Sequence, residues 1–382
     1  MNLMGLRATI WAGPTIPAPL PAELTRGVQR IEIRHSDRSS SGCSVTLAMG
    51  RQSNLGLPLY DTDLSALQLR QGNRISVTVS VDVVPEHVFD GLITEVETAF
   101  GDQAGTSTLT IRCRDMSVKL GLEEKDRKHT ALSDDNIVRA ILAEYLGDGL
   151  LQEVHTPLSI EVPLPNDTEP NQRGTDLAYI QDLARKHSFV FYVAPGPAPG
   201  TSIAYWGPEP RIGLPQRGLT VNMGGLTDTT GFQVTASERV AEFQEGKVRD
   251  RLTGASIPVM SSPISLNPPL SAAPSAITSP ELIRRRKLDR TDENAAVAFA
   301  RAQARANSAA DGAMRATGTV DVARYGSLLW PRQTVGVRGV GQHNGVWYVE
   351  QVRHTLQPGD SYRHDVTLRR EGSIPLVPAV FI

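Results

Sequence analysis

One β pattern occurs twice in this chain, and that repeat limits the folds open to it more than any other feature. The first copy runs from Leu69 to Asp115 and the second from Leu329 to Glu371. Each opens on a leucine and a turn, passes through a Val-rich strand and a polar loop, and enters a glycine-led apolar strand. That strand is Gly91-LITEV in the first copy and Gly345-VWYVEQV in the second, where the glutamate is displaced by one position. Each copy then turns through Gly-Asp (Gly101-Asp102; Gly359-Asp360) into an alternating strand, STLTIRCRD or YRHDVTLRRE. Alternation sends apolar side chains to one face of a strand and polar ones to the other, so each copy reads as a half-buried antiparallel sheet. Strands at such short spacing favour a barrel or sandwich. Two copies imply a duplicated barrel.

VQRIEIR from Val28 and CSVTLA from Cys43 alternate in the same way. The period then changes to 3.6. Ser133 stands as N-cap before DDNIVRAILAEYL, whose Ile137, Ile141 and Tyr145 share a face, with Gly147 expected to close the helix. A second helix follows Thr175 and gathers Leu177, Ile180, Leu183 and Ala184, with His187 in its last turn against the helix dipole, and SFVFYV reads as a buried strand. Strand periodicity returns from Gly231 to Val240 and from Glu245 to Leu252. The Ser/Pro/Ala-rich stretch 254–281 reads as an extended connector. Past it, the basic run Arg284 to Lys287 leads into an Ala-rich helix capped by Thr291, with Asp292 and Glu293 in its first turn, that ends at Gly312.

The expected fold class is therefore α+β, predominantly β: two related antiparallel β-barrels, a small α/β domain between them and a helical insertion. The expected parts are an N-terminal extension (1–24), the first barrel (25–116), the α/β domain (117–207) and a second barrel split into 208–253 and 313–372. The connector and helix (254–312) form the insertion, and an apolar tail (373–382) closes the chain.

Charge and composition exclude several classes. With 39 Lys and Arg against 41 Asp and Glu, no basic surplus remains to track phosphates, so specific nucleic-acid binding is not expected. Cys43 and Cys113 are the only cysteines, too few for a disulfide framework, and read as buried strand thiols of a chain made in a reducing cytoplasm. No stretch approaches the roughly 18 to 20 apolar residues of a membrane span, and the proline-broken N-terminus does not read as a signal peptide.

The chemical motifs are mostly missing. There is no nucleophile elbow, phosphate loop, zincin or paired-cysteine motif, and Gly336-VRGVG lies inside a strand pattern. No catalytic residue and no cofactor is assigned, and an enzyme is not expected. Glu95 and Glu97 share a strand face, the ordinary way to solvate a sheet, whereas a glycosidase pair must flank a cleft. His343, His354 and His364 come closest to a metal set, but no carboxylate or cysteine completes it, so no metal is assigned.

Taken in order, Gly91-LITEVE, Leu177-AYIQDLARKHSFVFYV and the closing Gly345-VWYVEQVRH with Gly359-DSYRHDVTLRR resemble the baseplate hub proteins of contractile phage tails. They also resemble the late control gene D proteins and the N-terminal hub region of VgrG spike proteins of type VI secretion. The resemblance spans roughly residues 25 to 371 and lies in the order of the segments; Phe189, Phe191 and Tyr192 fit the aromatic middle segment.

It implies tail-tube-like barrels and a homotrimer, whose six barrels would make an approximately sixfold ring. The implied partners are inner-tube or tube-initiator proteins above, a separate spike protein below, and other baseplate proteins. VgrG proteins continue into an oligonucleotide-binding fold and a β-helical needle, whereas this chain stops at Ile382, which implies a spike on another polypeptide. The implied location is a phage tail or tail-like injection particle. Expected subunit contacts are Gly91, Ile93, Glu95 and Glu97 on one strand and Gly345, Trp347, Val349 and Val352 on its repeat. Ile374, Leu376, Val380 and Phe381 of the tail are expected to dock on a neighbour or on the spike by strand addition. The alternative is a multi-domain β-rich module binding glycans or single-stranded nucleic acid. It calls for clustered exposed aromatics, whereas Trp11, Trp206, Trp330 and Trp347 are scattered. A tail-associated hydrolase lacks a motif.

Overall fold

Alternating strands that share one apolar face must wrap around it, and the N-terminal third of the chain does so. A computed structural model describes residues 2–3, 6–14, 16–49, 51–52, 59–60, 68–81, 84–102, 106–157, 170–238, 240–249, 254–288, 295–358 and 361–376. The first ladder comprises β1 (Leu6–Gly13), β2 (Val28–Ser36), β3 (Gly42–Met49), β4 (Arg74–Val81), β5 (Val84–Ala99) and β6 (Ser107–Asp115), in the antiparallel order β1-β4-β5-β6-β3-β2. Each strand supplies its inward face to one core, through Ile10, Ile33, Leu47, Val77, Ile93 and Ile111. Cys43 and Cys113 are buried, free, and opposite each other on β3 and β6. The expectation of an extension over 1–24 is corrected: β1 is a full strand paired with β4. Its inward residues include the small Ala8 and Ala12, which mute the alternation.

The α/β unit follows as α1 (Asp134–Ala143), β7 (Leu150–Val154), α2 (Asp176–Lys186), β8 (Val190–Pro195) and β9 (Ser202–Gly207). β9 lies between β7, parallel to it, and β8, antiparallel. Ile137, Ile141, Ile180, Leu183, Phe191 and Trp206 share its core. Thr175 caps α2 by accepting from the Ala178 amide at 3.3 Å. Gly147 does not close α1; the helix ends at Ala143 and a 3-10 turn follows, with Gly149 taking the left-handed φ of 73°. His187 at the end of α2 lies 2.6 Å from Asp134 at the start of α1, tying the two helices together.

Past the unit come β10 (Gln216–Thr220), β11 (Thr229–Ala236), β12 (Ala241–Arg249), β13 (Ser256–Met260), β14 (Ile283–Lys287), α3 (Ala295–Asp311), β15 (Met314–Asp321), β16 (Thr334–Arg338), β17 (Gly345–Gln357) and β18 (Ser361–Arg370). The second ladder runs β11-β15-β18-β17-β16-β10, and a bridge between Val221 and Thr229 joins its two ends. Val320, Val335, Trp347, Val349 and Leu368 fill its core.

Two expectations change here. β12, expected in the second barrel, belongs to a separate sheet β13-β12-β14, and the basic run 284–287 is a strand of that sheet, parallel to β12. The 254–281 stretch is tethered as well as extended: Gln303 and Asn307, buried on α3, accept from the amides of Ser262 at 2.7 Å and Leu266 at 2.9 Å. Buried side-chain amides thus take up backbone donors that the Pro-rich stretch does not place in a ladder. Thr291, Asp292 and Glu293 lie outside the described residues.

One pairing fuses the two ladders. β2 runs antiparallel to the C-terminal part of β17, from Gln351 opposite Ser36 to Leu356 opposite Ile31. No helix among the described residues is long and apolar enough to cross a membrane.

Candidate assembly interface

The two copies of the repeat fold as the same three-strand meander, β4-β5-β6 and β16-β17-β18, and each carries a β-bulge at the same place. In the first, Cys113 faces Ile93 and Arg112 faces Glu95, which leaves Thr94 as the extra residue. In the second, Leu368 faces Val349 and Thr367 faces Gln351, which leaves Glu350. A bulge fixes register, so it aligns the copies: Leu92 matches Tyr348, Glu95 matches Gln351 and Arg114 matches Arg369. The glycines used for the sequence alignment are therefore two positions out of step. Gly91 corresponds to Trp347, not to Gly345.

This alignment shows where the copies part. Beyond the bulge, the free edge of β17 is filled by β2. The same edge of β5, from Glu95 to Ala99, has no strand beside it among the described residues. The strand corresponding to β2 is β11, since β2-β3-β6 matches β11-β15-β18. β11 ends the path, and most of its residues from Thr230 to Ala236 are exposed. The molecule thus has one filled seam and the two unmatched halves of a second. The apolar residues beside the open β5 edge, Val96 at 39% and Phe100 at 78% exposure, are left in water.

The filled seam is held from two sides. On the inner side, three buried histidines meet where the two cores adjoin: His35 on β2, His354 on β17 and His364 on β18. Their ring centroids stand 5.5 Å (His35–His354) and 4.3 Å (His354–His364) apart, with Trp330 5.8 Å from His35. His354 Nδ1 meets the Tyr362 hydroxyl at 3.0 Å, and His35 Nδ1 meets the Ser41 hydroxyl at 3.1 Å. The second nitrogens of His35 and His354 and both of His364 have no partner among the described residues. Burial lowers the pKa of all three and holds His354 at about 3; the neighbouring histidines lower His35 and His364 further.

At the end of the seam lies a buried ionic cluster. Arg369 of β18 binds Asp37, just past β2, at 2.9 Å and Glu209, just past β9, at 2.5 Å. Arg211 binds Glu209 at 2.9 Å and also Asp311 at the end of α3. Arg38 adds a 2.6 Å contact to Glu209, and the Arg369 guanidinium stacks 4.6 Å over the Tyr348 ring. Burial works against ionising Glu209, but the charges of Arg369, Arg211 and Arg38 outweigh it and hold the carboxyl below its ordinary range. Three carboxylates and three guanidiniums from both ladders, the linker after β9 and α3 meet here.

The predicted contact residues divide accordingly. Ile93, Trp347, Val349 and Val352 are core residues of the ladders, because the inward face of each strand fills its own core. Gly91 and Gly345 are buried backbone positions, Gly345 at a φ of 116°. Glu95 and Glu97 are exposed, bound to Arg112 at 2.7 and 3.3 Å. Ile374 pairs within the chain, opposite Ala273, and Leu376 donates to Leu270, so these backbone groups are already used. Val380 and Phe381 lie outside the described residues.

Of the histidines considered for a metal, His354 and His364 come together but His343 does not. It lies beside Trp347, whose indole donates to the His343 carbonyl at 3.0 Å. Among the described residues no group of three or more His, Cys, Asp or Glu could hold a metal ion. A cleft of about 620 Å³ between α2 and α3 is lined by several cations, but Arg38, Lys186 and Arg185 already face Glu209, Asp134 and Asp182.

The family model of the Alg8 N-terminal domain matches residues 22–157, a stretch under half of the chain that stops inside the α/β unit and shows no family membership. No curated protein matches the chain. Among solved structures, it is similar to a tail protein of Neisseria meningitidis MC58, at 11% identity over 97% of this chain and 98% of that one, with a TM-score of 0.65. It is also similar to the 43 kDa tail protein of prophage MuSo2 from Shewanella oneidensis, at 12% identity over 96% and 98%, with a TM-score of 0.59. A third is the E. coli c3393 protein, a component of the type VI secretion system described as structurally similar to the T4 bacteriophage tail proteins gp27 and gp5. Here identity is 13% over 92% of this chain and 76% of that one, with a TM-score of 0.51. At these identities the likeness is one of fold. The chain has the fold of phage tail proteins.

Proposed function

We propose that this chain is the hub subunit of a phage tail or tail-like contractile injection system, in which three copies form a ring of six related barrels. The observation that carries the reading is the unmatched seam. Within one chain, β2 fills the edge of β17. The corresponding strand β11 is then free to fill the corresponding edge of β5 in the next chain. Carried over from the filled seam, the register puts Ala236 opposite Val96, Thr235 opposite Glu97 and Val234 opposite Thr98. A head-to-tail contact of this kind makes a ring where its rotation closes, and in this reading closure after three chains alternates filled and intermolecular seams around the axis. Such a ring presents near-sixfold symmetry to a hexameric inner tube and threefold symmetry to a separate spike. The fold likeness to tail proteins supports the same reading. The glycan or nucleic-acid module draws less support, since Trp206 and Trp347 are core residues and offer no stacking surface.

Val96→Cys combined with Ala236→Cys tests the seam, because the native cysteines are buried. Oxidation should give covalent dimers and trimers and nothing larger on a non-reducing gel. Light scattering should give a trimer mass for the unmodified chain. A chain that stays monomeric at micromolar concentration and does not crosslink would falsify the hub reading.

A further inference from the structure

The outer face of the filled seam carries a row of three arginines, none of them in an ion pair among the described residues. The register places Arg353 of β17 opposite Arg34 of β2, Arg34 opposite Gly42 of β3, and Gly42 opposite Arg114 of β6. All three arginines are exposed. Arg34 donates to a neutral partner, Gln351 Oε1, at 2.9 Å. The side chains of Arg114 and Arg353 have no hydrogen bond or ion pair among the described residues. Like charges directly opposite each other on paired strands are destabilising. The two acidic residues of the groove wall do not relieve this, because Glu32 is bound to Arg30 and Glu95 to Arg112; on the far side of Arg353 the register places Asp365, whose Oδ1 accepts from the Thr319 hydroxyl at 2.8 Å.

Gly42 opens the middle of the row. A Cβ there would meet only the Cys113 carbonyl, at 3.6 Å, so no side chain stands between Arg34 and Arg114. The result is a groove of about 510 Å³ bordered by Ser39 and Ser40 of the β2–β3 turn.

We propose that this groove binds an extended acidic peptide segment of a partner protein. Neighbouring strands lie about 4.8 Å apart, so the Arg34 and Arg114 stems stand roughly 10 Å apart across the gap. Alternate side chains of an extended peptide are roughly 6.6 Å apart, which lets two carboxylates meet two guanidiniums in paired hydrogen bonds. A nucleic acid fits less well, because the chain, with 39 Lys and Arg against 41 Asp and Glu, has no basic surplus to track a phosphate backbone beyond the row. The site is complete in one chain and does not rest on the ring. Because Arg34 belongs to the first ladder and Arg353 to the second, an anion held between them strengthens the joint.

The test uses the full chain and a fluorescein-labelled octapeptide of alternating Glu and Ser, followed by anisotropy. An unlabelled oligo-dT of similar length and inorganic phosphate serve as competitors. Saturable binding is expected, weakened about tenfold in Arg353→Gln and again in Arg114→Gln, and unchanged in Arg7→Gln on distant β1. No saturable peptide binding, stronger competition by the oligonucleotide than by unlabelled peptide, or equal affinity in Arg353→Gln would each overturn the proposal. So would loss of an oligomer in Arg353→Gln without peptide, which would give the groove to a second copy.

Discussion

The two meanders share strand order and bulge, yet residues at matching positions have different tasks. Arg114 and Arg369 occupy the same register position. Arg114 is exposed and unpaired, whereas Arg369 is buried among Asp37, Glu209 and Tyr348. Gly91 and Trp347 correspond too: a Cβ at Gly91 would run into the Arg114 carbonyl at 2.1 Å, whereas Trp347 fills the core of its own ladder. At the bulge itself, the Thr94 carbonyl accepts from the Gln71 side-chain amide of its own copy at 2.9 Å and the Thr94 hydroxyl donates to the Arg112 carbonyl, whereas the Glu350 carbonyl receives the Asp37 amide from the other ladder. The scaffold is shared; what differs is what each copy holds. The second copy receives β2, α3 and the linker after β9. The first leaves its edge open.

Acid should separate the copies most sharply. His354 stands where the first copy has Thr98, and the filled seam gathers three buried histidines. The pKa of His35, His354 and His364 is lowered below 6.5 mainly by burial, so the opened chain binds protons that the folded chain refuses. Stability is then complete above pH 6.5 and is lost as pH falls below it, with a slope approaching ~1.4 kcal/mol per pH unit for each histidine. The facing groups are Arg332, which further disfavours charge on His35, and the Tyr362 hydroxyl on His354; Glu86 is bound to the Trp330 indole at 2.9 Å. Glu209, held below its ordinary range, loses its charge only at lower pH. The urea midpoint should drop steeply between pH 6.5 and 5, and less steeply in His354→Asn. A flat midpoint over that range would show that the seam does not depend on neutral imidazoles.

Next in size is the paired substitution Arg369→Met and Arg114→Met. Removing Arg369 strands Asp37 and Glu209 with fewer cations in a buried site, which costs about 3–5 kcal/mol. Removing Arg114 changes an exposed side chain and should cost ~0.5 kcal/mol or less. Urea denaturation at pH 7.5 measures both. Equal effects would mean that the outer faces are energetically alike and the comparison empty.

How much of this could be read from the sequence follows from the distance over which each signal acts. Alternation and helical period are local, and they place the two meanders, α1, α2 and α3 within a few residues. Trp347, Val349 and Val352 looked like interface candidates because an apolar strand face reads the same whether it meets a core or a partner. β12 was assigned to the wrong sheet because a strand pattern does not say which strand lies beside it. The ionic cluster was invisible: Asp37, Glu209, Asp311 and Arg369 are far apart in sequence and look individually like surface charges. His35 was missed for the same reason, although its alternation with Ile31 and Ile33 in VQRIEIRH already put it on the inward face of β2.

The glycine tests the alignment set by the bulge. Gly91→Ala should destabilise by about 1–3 kcal/mol, because its Cβ meets backbone that can yield only by distorting the β5–β6 pairing. Gly42→Ala on the adjacent strand β3 should be nearly neutral, since a Cβ there has room. If both cost the same, close approach of β6 is not what requires glycine at 91.

The smallest effect isolates the bulge from its side chain. Glu350 bonds Arg315 at 2.8 Å, but the arginine is 57% exposed, so the ion pair contributes ~0–1 kcal/mol. The contact that joins the ladders is made by the Glu350 carbonyl, which any residue at the bulge presents. Glu350→Thr gives the second copy the first copy's residue and should lose no more than about 1 kcal/mol in urea while leaving the acid slope unchanged. A larger loss, or a change in that slope, would mean that the glutamate side chain and not the backbone bulge makes the second copy a receiving edge.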